Sequence, residues 1–423
     1  MKHTTKRGLR VAAIAAAGAL ALGGLSACSS GSDTFNVWWY EKDTAMATTW
    51  KAALDELAAA HPNVKIKFEL KTWDQMQKSG AAVLDSDKAP DLTEYNKGNA
   101  TAGVVAAAGL LVDLKDYSAK YGWDKILPPS ALTFGQYDDK GIMGSGNLYG
   151  IASYGEYVSW FYNKDAFDKN GWTVPTTQDE LSALLGKIKA AGQTQCIGGK
   201  DYQNVHLAYA LTLSGADKAW LANFQQLAGP VDWSKWNNAA TTMSDWLAKG
   251  YFPKNVAGIS ADNAVAAFQK GDTCPLIMGG TWLDQGMQDK IKFNWDKFKN
   301  PGNMSEGSAG NLLVIPSKSK NKDLAAEFIN LILSKKYQNQ LGELGGLPLA
   351  ADLASLKNPL AVKTNKVFAD ILATGDGLGW YPDWPVAGYF DVQLAAGQKL
   401  LSDGDAAAYT KTVTDFYEKN KGN

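Results

Sequence analysis

Arginine is all but missing from this chain. Of 423 residues only Arg7 and Arg10 are arginines, and both lie among the first 27. Arginine is the usual planar fork for carboxylate and phosphate, so a ligand gripped through such an anion is disfavoured, be it an amino acid, a sugar phosphate or nucleic acid. Histidine is nearly as scarce: beyond residue 27 only His61 and His206 occur. No His, Cys and carboxylate set has zinc-ligand spacing, and neither metal nor cofactor is expected. There is no Walker phosphate loop and no GxGxxG, since Gly144-Ser145-Gly146 continues wrongly and reads as a turn. No Gly-x-Ser-x-Gly elbow accompanies either histidine, so a Ser-His-Asp triad lacks its setting. Cysteine is limited to Cys28, Cys196 and Cys274.

What is present begins with a secretory pattern. Residues 1–27 join a basic start (Lys2, Lys6, Arg7, Arg10), an apolar run over 11–25 and a small-residue exit at Ser26-Ala27. The apolar run falls short of the about 20 residues of a spanning helix, which favours a removable signal over an anchor. Without it, 38 Lys face 43 Asp and Glu over 396 residues, a formal charge of −5. No strongly basic face follows. The length exceeds one core of ordinary size and suits two lobes of about 150–200 residues.

Aromatic residues are abundant: 15 Trp, 17 Tyr and 14 Phe. Most must be core. Several tryptophans, however, sit among glycines, prolines and acids, as in Gly280-Thr281-Trp282 and Gly379-Trp380-Tyr381-Pro382-Asp383-Trp384. Such loops suit a ligand with apolar ring faces and a hydroxyl rim, held by flat platforms and by Asp, Glu, Asn and Lys. Trp38, Trp39, Trp233, Trp236 and Trp246 read instead as packing.

Strand and helix patterns alternate. Residues 35–40 (FNVWWY) form an apolar run of strand length, followed by helical spacing over 46–60, a strand over 64–70, a helix over 73–84 and a short strand within 89–96. A further strand over 157–162 precedes Thr177 and Glu180, a capping-box pair that starts a helix. Strands are also expected at 196–198, 275–278 and 311–315. The pattern predicts an α/β fold of mainly parallel sheets flanked by helices. Polar residues just past such strands point into the crevice where open α/β sheets bind ligands.

Several landmarks carry a resemblance. Residues 148–181 (LYGIASYGEYVSWFYNKDAFDKNGWTVPTTQDEL), the run from Ala264 through Phe268, Gly271 and Pro275 to Gly280-Thr281-Trp282, and DLAAEFINLILS with Gln338 and Gly345-Gly346-Leu347-Pro348 resemble carbohydrate-binding extracellular solute-binding proteins of ABC importers (family 1, maltose-binding-protein-like). Ala152 departs from the proline common there. Leu25-Ser26-Ala27-Cys28 resembles a lipobox, implying lipidation of Cys28 and a membrane-anchored tether at 28–32 on the outer face of the cytoplasmic membrane. The resemblance implies a type II periplasmic-binding-protein-like fold, with an N-terminal lobe at 33–150 plus 309–347 and a C-terminal lobe at 151–308 plus 348–423. It implies ligand contacts from Tyr40, Glu41 and Asp43, from Glu94, Tyr95 and Asn96, from Tyr154 and Glu156, and aromatic platforms at Trp282, Trp380 and Trp384. The rival for Trp282 is the core; for Glu41 and Glu156 it is an exposed or helix-capping carboxylate. Cys196 and Cys274 are expected in one lobe, either as a disulfide or as two buried thiols.

The function implied is capture of a neutral sugar, an oligosaccharide first of all, by a monomeric protein that performs no chemistry and hands its ligand to a permease. A polyol, polyamine or peptide ligand on the same fold is the alternative. A secreted glycoside hydrolase is the rival enzyme, needing two carboxylates across a scissile bond, but no catalytic signature accompanies the acids.

Overall fold

The computed structural model describes residues 34–40, 44–373 and 377–421. The expectations for the signal, the tether, Cys28, Glu41 and Asp43 lie outside the described residues. In chain order the elements used below are β1 (Thr34–Trp39), α1 (Thr44–Ala60), β2 (Lys65–Leu70), α2 (Trp73–Leu84), β3 (Leu92–Tyr95), β4 (Ile151–Ala152), β5 (Gly155–Asn163), α3 (Gln178–Ala190), α4 (Gln203–Ser214), α5 (Ser234–Ala248), β6 (Leu276–Gly280), β7 (Trp295–Phe298), β8 (Gly307–Ala309) and β9 (Leu312–Val314).

A first sheet runs in the order β2-β1-β3-β9-β4. Its β1, β2 and β3 are parallel, with Val37 beside Leu92 and Thr34 beside Lys65. Phe35, Val37 and Trp39 fill the core on one face, while Trp38 is half-buried under the Lys71 ammonium, 3.9 Å from its ring. α2 starts where Thr72 and Gln75 form a capping box, and α3 starts likewise at Thr177 and Glu180. Strand β9 then runs antiparallel to both β3 and β4, setting Leu312 beside Tyr95 and Ala152.

This topology collects chain ends at one edge. The carboxyl ends of β1, β3 and β4 and the amino end of β9 meet there, so Tyr40, Asn96, Tyr154 and Asn311 become neighbours. None of these residues is close to all the others in sequence.

A second sheet is built around β5, whose nine residues are almost wholly buried. It pairs with β8, β6 and β7, antiparallel in each case. The expected mainly parallel arrangement is therefore corrected here: among the described strands of this sheet the pairings are antiparallel. An apolar run marks burial on both faces but says nothing of neighbour direction, which is why the pattern misled. The expected strand at 196–198 is likewise reduced to one bridge, Cys196 beside Ile277. Trp236 of α5 and Trp246 are fully buried, as packing residues.

The chain passes from the first sheet to the second between β4 and β5 and returns between β8 and β9. A third strand of chain touches the crossing at Tyr154 and Pro348. Because β5 is antiparallel to β6 and β8, its amino end brings Glu156 beside Ser308 and Val158 beside Gly280. The second sheet thus offers Glu156, Trp282 and Glu306 to the same edge.

Cys196 and Cys274 are joined as a disulfide, with Cα atoms 5.5 Å apart and a sequence separation of 78. A loop of that length gives a chain-entropy stabilisation of about 4–5 kcal/mol. Thiol labelling of the denatured, unreduced domain at 33–423 is expected to find no reactive sulfur. Two reactive sulfurs per chain would refute the bond.

Candidate ligand-binding site

The meeting edge holds a polar network. Glu94, fully buried, accepts from the Tyr40 backbone N–H at 2.7 Å. Its other oxygen accepts from the Asn311 amide at 3.1 Å and from the Tyr154 hydroxyl at 3.3 Å. Asn311 also donates to the Tyr154 hydroxyl at 3.0 Å. Beside them Lys97, with no exposed side-chain surface, donates to Glu156 at 3.0 Å and to Asn311 at 3.4 Å. Each group is polar and buried, so each needs its partner. Two sheets are therefore tied together by one chain of hydrogen bonds.

A pocket of about 320 Å³ opens at this junction, including space open to solvent, and is lined by Met46, Tyr154, Glu156, Thr281, Trp282 and the backbone near Gly346. Trp282 is half-buried. Its six-membered ring lies over Gly280, where an added Cβ would stand 2.1 Å from it. Tyr154 lies the same way over Gly310, at 2.3 Å. Glycine at both positions is what lets an aromatic ring lie flat against backbone.

The segment 379–386 makes a further wall. The Gln225 amide donates to Tyr381 O at 2.7 Å and the Ala100 N–H to Trp384 O at 2.9 Å. The Asn96 amide donates to Asp383 at 3.3 Å. Trp380 holds φ at +46°, a left-handed conformation that costs a non-glycine residue about 1–2 kcal/mol. Its ring centroid lies 5.4 Å from that of Phe134 and 6.4 Å from that of Trp384.

The expected residues thus separate. Glu94, Asn96, Tyr154, Glu156 and Trp282 come together, and Tyr40 joins through its backbone. Tyr95 does not: strand alternation turns it away from Glu94 and lays it on Gly80 of α2, where burial pushes its hydroxyl up to about 12. Trp384, only 1% exposed, is packed among Phe134, Trp380 and Tyr381 with the Lys97 ammonium 5.2 Å from its ring. As open contacts these two expectations are corrected.

Other residues went unforeseen. Lys97 follows the polar exit Glu94-Tyr95-Asn96 directly, and Asn311 stands just before a strand, so both carried a readable signal. His206 and Glu306 did not, being 100 residues apart. His206 Nδ1 lies 2.7 Å from Glu306. Burial pushes the imidazole down, but the Glu306 carboxylate and, beyond it, Asp383 and Glu156 together leave it above its ordinary value. Burial likewise raises Glu306 and Asp383.

A larger cavity of about 1230 Å³, again including open space, lies on the second sheet beside Tyr162, Pro175, Phe298, Pro301 and Lys363. Its lining also carries Asp296, Lys297, Lys299, Lys366 and Asp370; Lys297 is committed to Asp284 at 2.5 Å and Lys363 to Trp295 O at 2.6 Å. Unlike the junction pocket, it is lined by no tryptophan. Among the described residues no three metal-ligating side chains are placed to hold an ion.

Residues 42–339 match the family of bacterial extracellular solute-binding proteins. The chain belongs to that family. A probable sugar-binding periplasmic protein of Mesorhizobium japonicum is 33% identical over 179 residues, covering 41% of this solute-binding protein and 40% of the relative. One of the same description from Rhizobium meliloti is 30% identical over 212 residues, covering 46% and 50%. The chain thus spans half or less of the length of these two relatives. The diacetylchitobiose binding protein DasA of Streptomyces coelicolor is 27% identical over 416 residues, covering 89% and 87%. Among solved structures, a chitin oligosaccharide binding protein superposes with a TM-score of 0.77 at 19% identity, covering 91% of this chain and 98% of that one. The raffinose complex of RafE gives 0.70 at 20%, covering 91% and 99%. The solute-binding protein therefore has the type II periplasmic-binding-protein fold.

Proposed function

We propose that this protein is the lipid-anchored, extracytoplasmic binding component of an ABC importer, which captures a neutral sugar, an oligosaccharide first of all, and presents it to the permease. The observation that carries the reading is the junction itself: a half-buried Trp282 shares a pocket with Tyr154 and Glu156, beside a buried network of Glu94, Lys97, Tyr154, Glu156 and Asn311. A flat ring beside paired donors and acceptors suits a sugar's apolar face and hydroxyl rim. The sugar-binding descriptions of the relatives support the same class.

In this reading residues 33–150 with 309–347 form one lobe, and 151–308 with 348–423 the other. A ligand touching both stabilises the closed arrangement by its differential affinity, and the permease reads closure. No bond is broken. Cys28 becomes the lipidated amino terminus, and the protein acts as a monomer. A polyol ligand is the second reading, favoured by a mannitol-binding protein of Pseudomonas aeruginosa that is 23% identical over 264 residues.

The test is a Trp-fluorescence titration of the domain at 33–423 with N,N′-diacetylchitobiose, raffinose, xylotriose, maltotriose and D-mannitol, with product analysis after incubation. Micromolar binding of one sugar, about −8 kcal/mol, without released monosaccharide is expected. Turnover would replace the reading by the hydrolase; binding of mannitol alone would replace the sugar by a polyol. For the anchor, Cys28→Ala is expected to move the protein from membrane to medium, and a variant that stays on the membrane would end that part of the reading.

A further inference from the structure

The His206 side chain is placed unlike an ordinary core histidine. It projects from α4 and keeps 12% of its side-chain surface exposed, while its partner Glu306 keeps none. Three aromatic rings surround it: Tyr202 at 5.5 Å between centroids, Trp282 at 5.6 Å and Tyr381 at 6.1 Å. Trp282 is the ring that lines the junction pocket. Glu306 carries a buried oxygen, Oε2, with no hydrogen-bond partner, so its carboxylate is committed to His206 through Oε1 alone. With Nδ1 held in this way, Nε2 is the nitrogen left for a ligand. The second nitrogen of a histidine takes its role from the bond made by the first.

We propose that His206 is a specificity-determining contact of the binding site, donating from Nε2–H to a hydroxyl or acetamido oxygen of the sugar unit that stacks on Trp282. The inference rests on the sugar reading above and deepens it. Glu306 positions the imidazole through Nδ1 and favours its protonated, Nε2–H form. The charged and titratable groups around it are Glu306 ahead of β8, Asp383 on the 379–386 wall and Glu156 on β5, the last paired with Lys97; each of the three acids favours the imidazolium. Tyr202 and Tyr381 complete the enclosure.

The sign of the pH dependence follows. The imidazole titrates above its ordinary value, so Nε2–H is fully available below that value and is lost as pH rises through the folded one. Affinity should fall over that rise. His206→Gln keeps an amide donor at every pH, so it should bind roughly tenfold more weakly at low pH and show a flat profile.

Because His61 and His206 are the only histidines of the mature chain, ring-nitrogen NMR of the histidine-labelled domain at 33–423 is simple to read. The five sugars named above are titrated in turn, with calorimetry on the same samples from mildly acidic to mildly alkaline pH. Support is a sugar that gives heat, moves the His206 Nε2 resonance while leaving His61 in place, and loses affinity as pH rises. Heat with a silent His206, and equal affinity in His206→Gln, would overturn this inference and leave the sugar reading standing. No heat from any of the five, with the domain folded, would overturn both.

Discussion

Lys97→Met is expected to destabilise the protein by about 3–5 kcal/mol, the usual cost of breaking a buried ion pair on one side. The Lys97 ammonium is wholly buried and Glu156 keeps 11% of its side-chain surface. Methionine fills most of the volume but leaves Glu156 without the cation that pairs with it. On the Lys97 side the site is closed, because Trp384 lies over the ammonium and Asn311 is held by Glu94 and Tyr154. Chemical denaturation of the domain at 33–423 reads the loss. Lys97→Met with Glu156→Leu should recover a large part of it, since removing both charges removes the desolvation penalty. A single-variant loss below about 1 kcal/mol would put the pair in the class of solvent-screened bridges and contradict a buried ion pair at the junction.

Trp282→Ala should weaken sugar binding by about 2–3 kcal/mol, roughly thirty- to a hundredfold, the range of a stacked tryptophan anchor. Its ring is half-buried over Gly280 and packs against the core, so unfolding should also shift, by about 1–2 kcal/mol, less than for a fully buried tryptophan. The contrast is Trp384→Ala. That ring is buried among Phe134, Trp380 and Tyr381, and its removal should cost about 3–5 kcal/mol of stability. A tryptophan that contacts ligand and one that builds the wall are thus separated by which quantity moves more. Equal affinity in Trp282→Ala would remove it from the site.

Much of the first sheet was legible because its signals are local. The run FNVWWY, the helical spacing over 46–60 and 73–84 and the capping box at Thr177 and Glu180 each act over a few residues, and β1, α1, α2 and α3 follow them closely. Gly280-Thr281-Trp282 was legible for a related reason: a tryptophan after glycines, past an apolar strand, has room to lie on backbone. Strand direction in the second sheet was not, since burial looks alike in both arrangements and direction is set by where the chain returns at β8. Nor was the inward turn of Tyr95, which one step of strand alternation decides. The pairing of His206 with Glu306 depends on α4 packing beside residues 304–305 and β6, a tertiary fact with no local trace. The site was thus readable where a strand end carried its own polar residues, and hidden where a helix from elsewhere supplied them.

The central claim is that the ligand is held where the two sheets meet. Hydrogen–deuterium exchange with mass spectrometry tests it most directly, comparing the domain at 33–423 alone and with the sugar that binds it. The account predicts that sugar slows exchange at 94–98, 154–158, 281–284 and 380–384, with 296–301 and 359–370 unchanged. Protection confined to those last two segments, which line the larger cavity on the second sheet, would contradict it and move the site there.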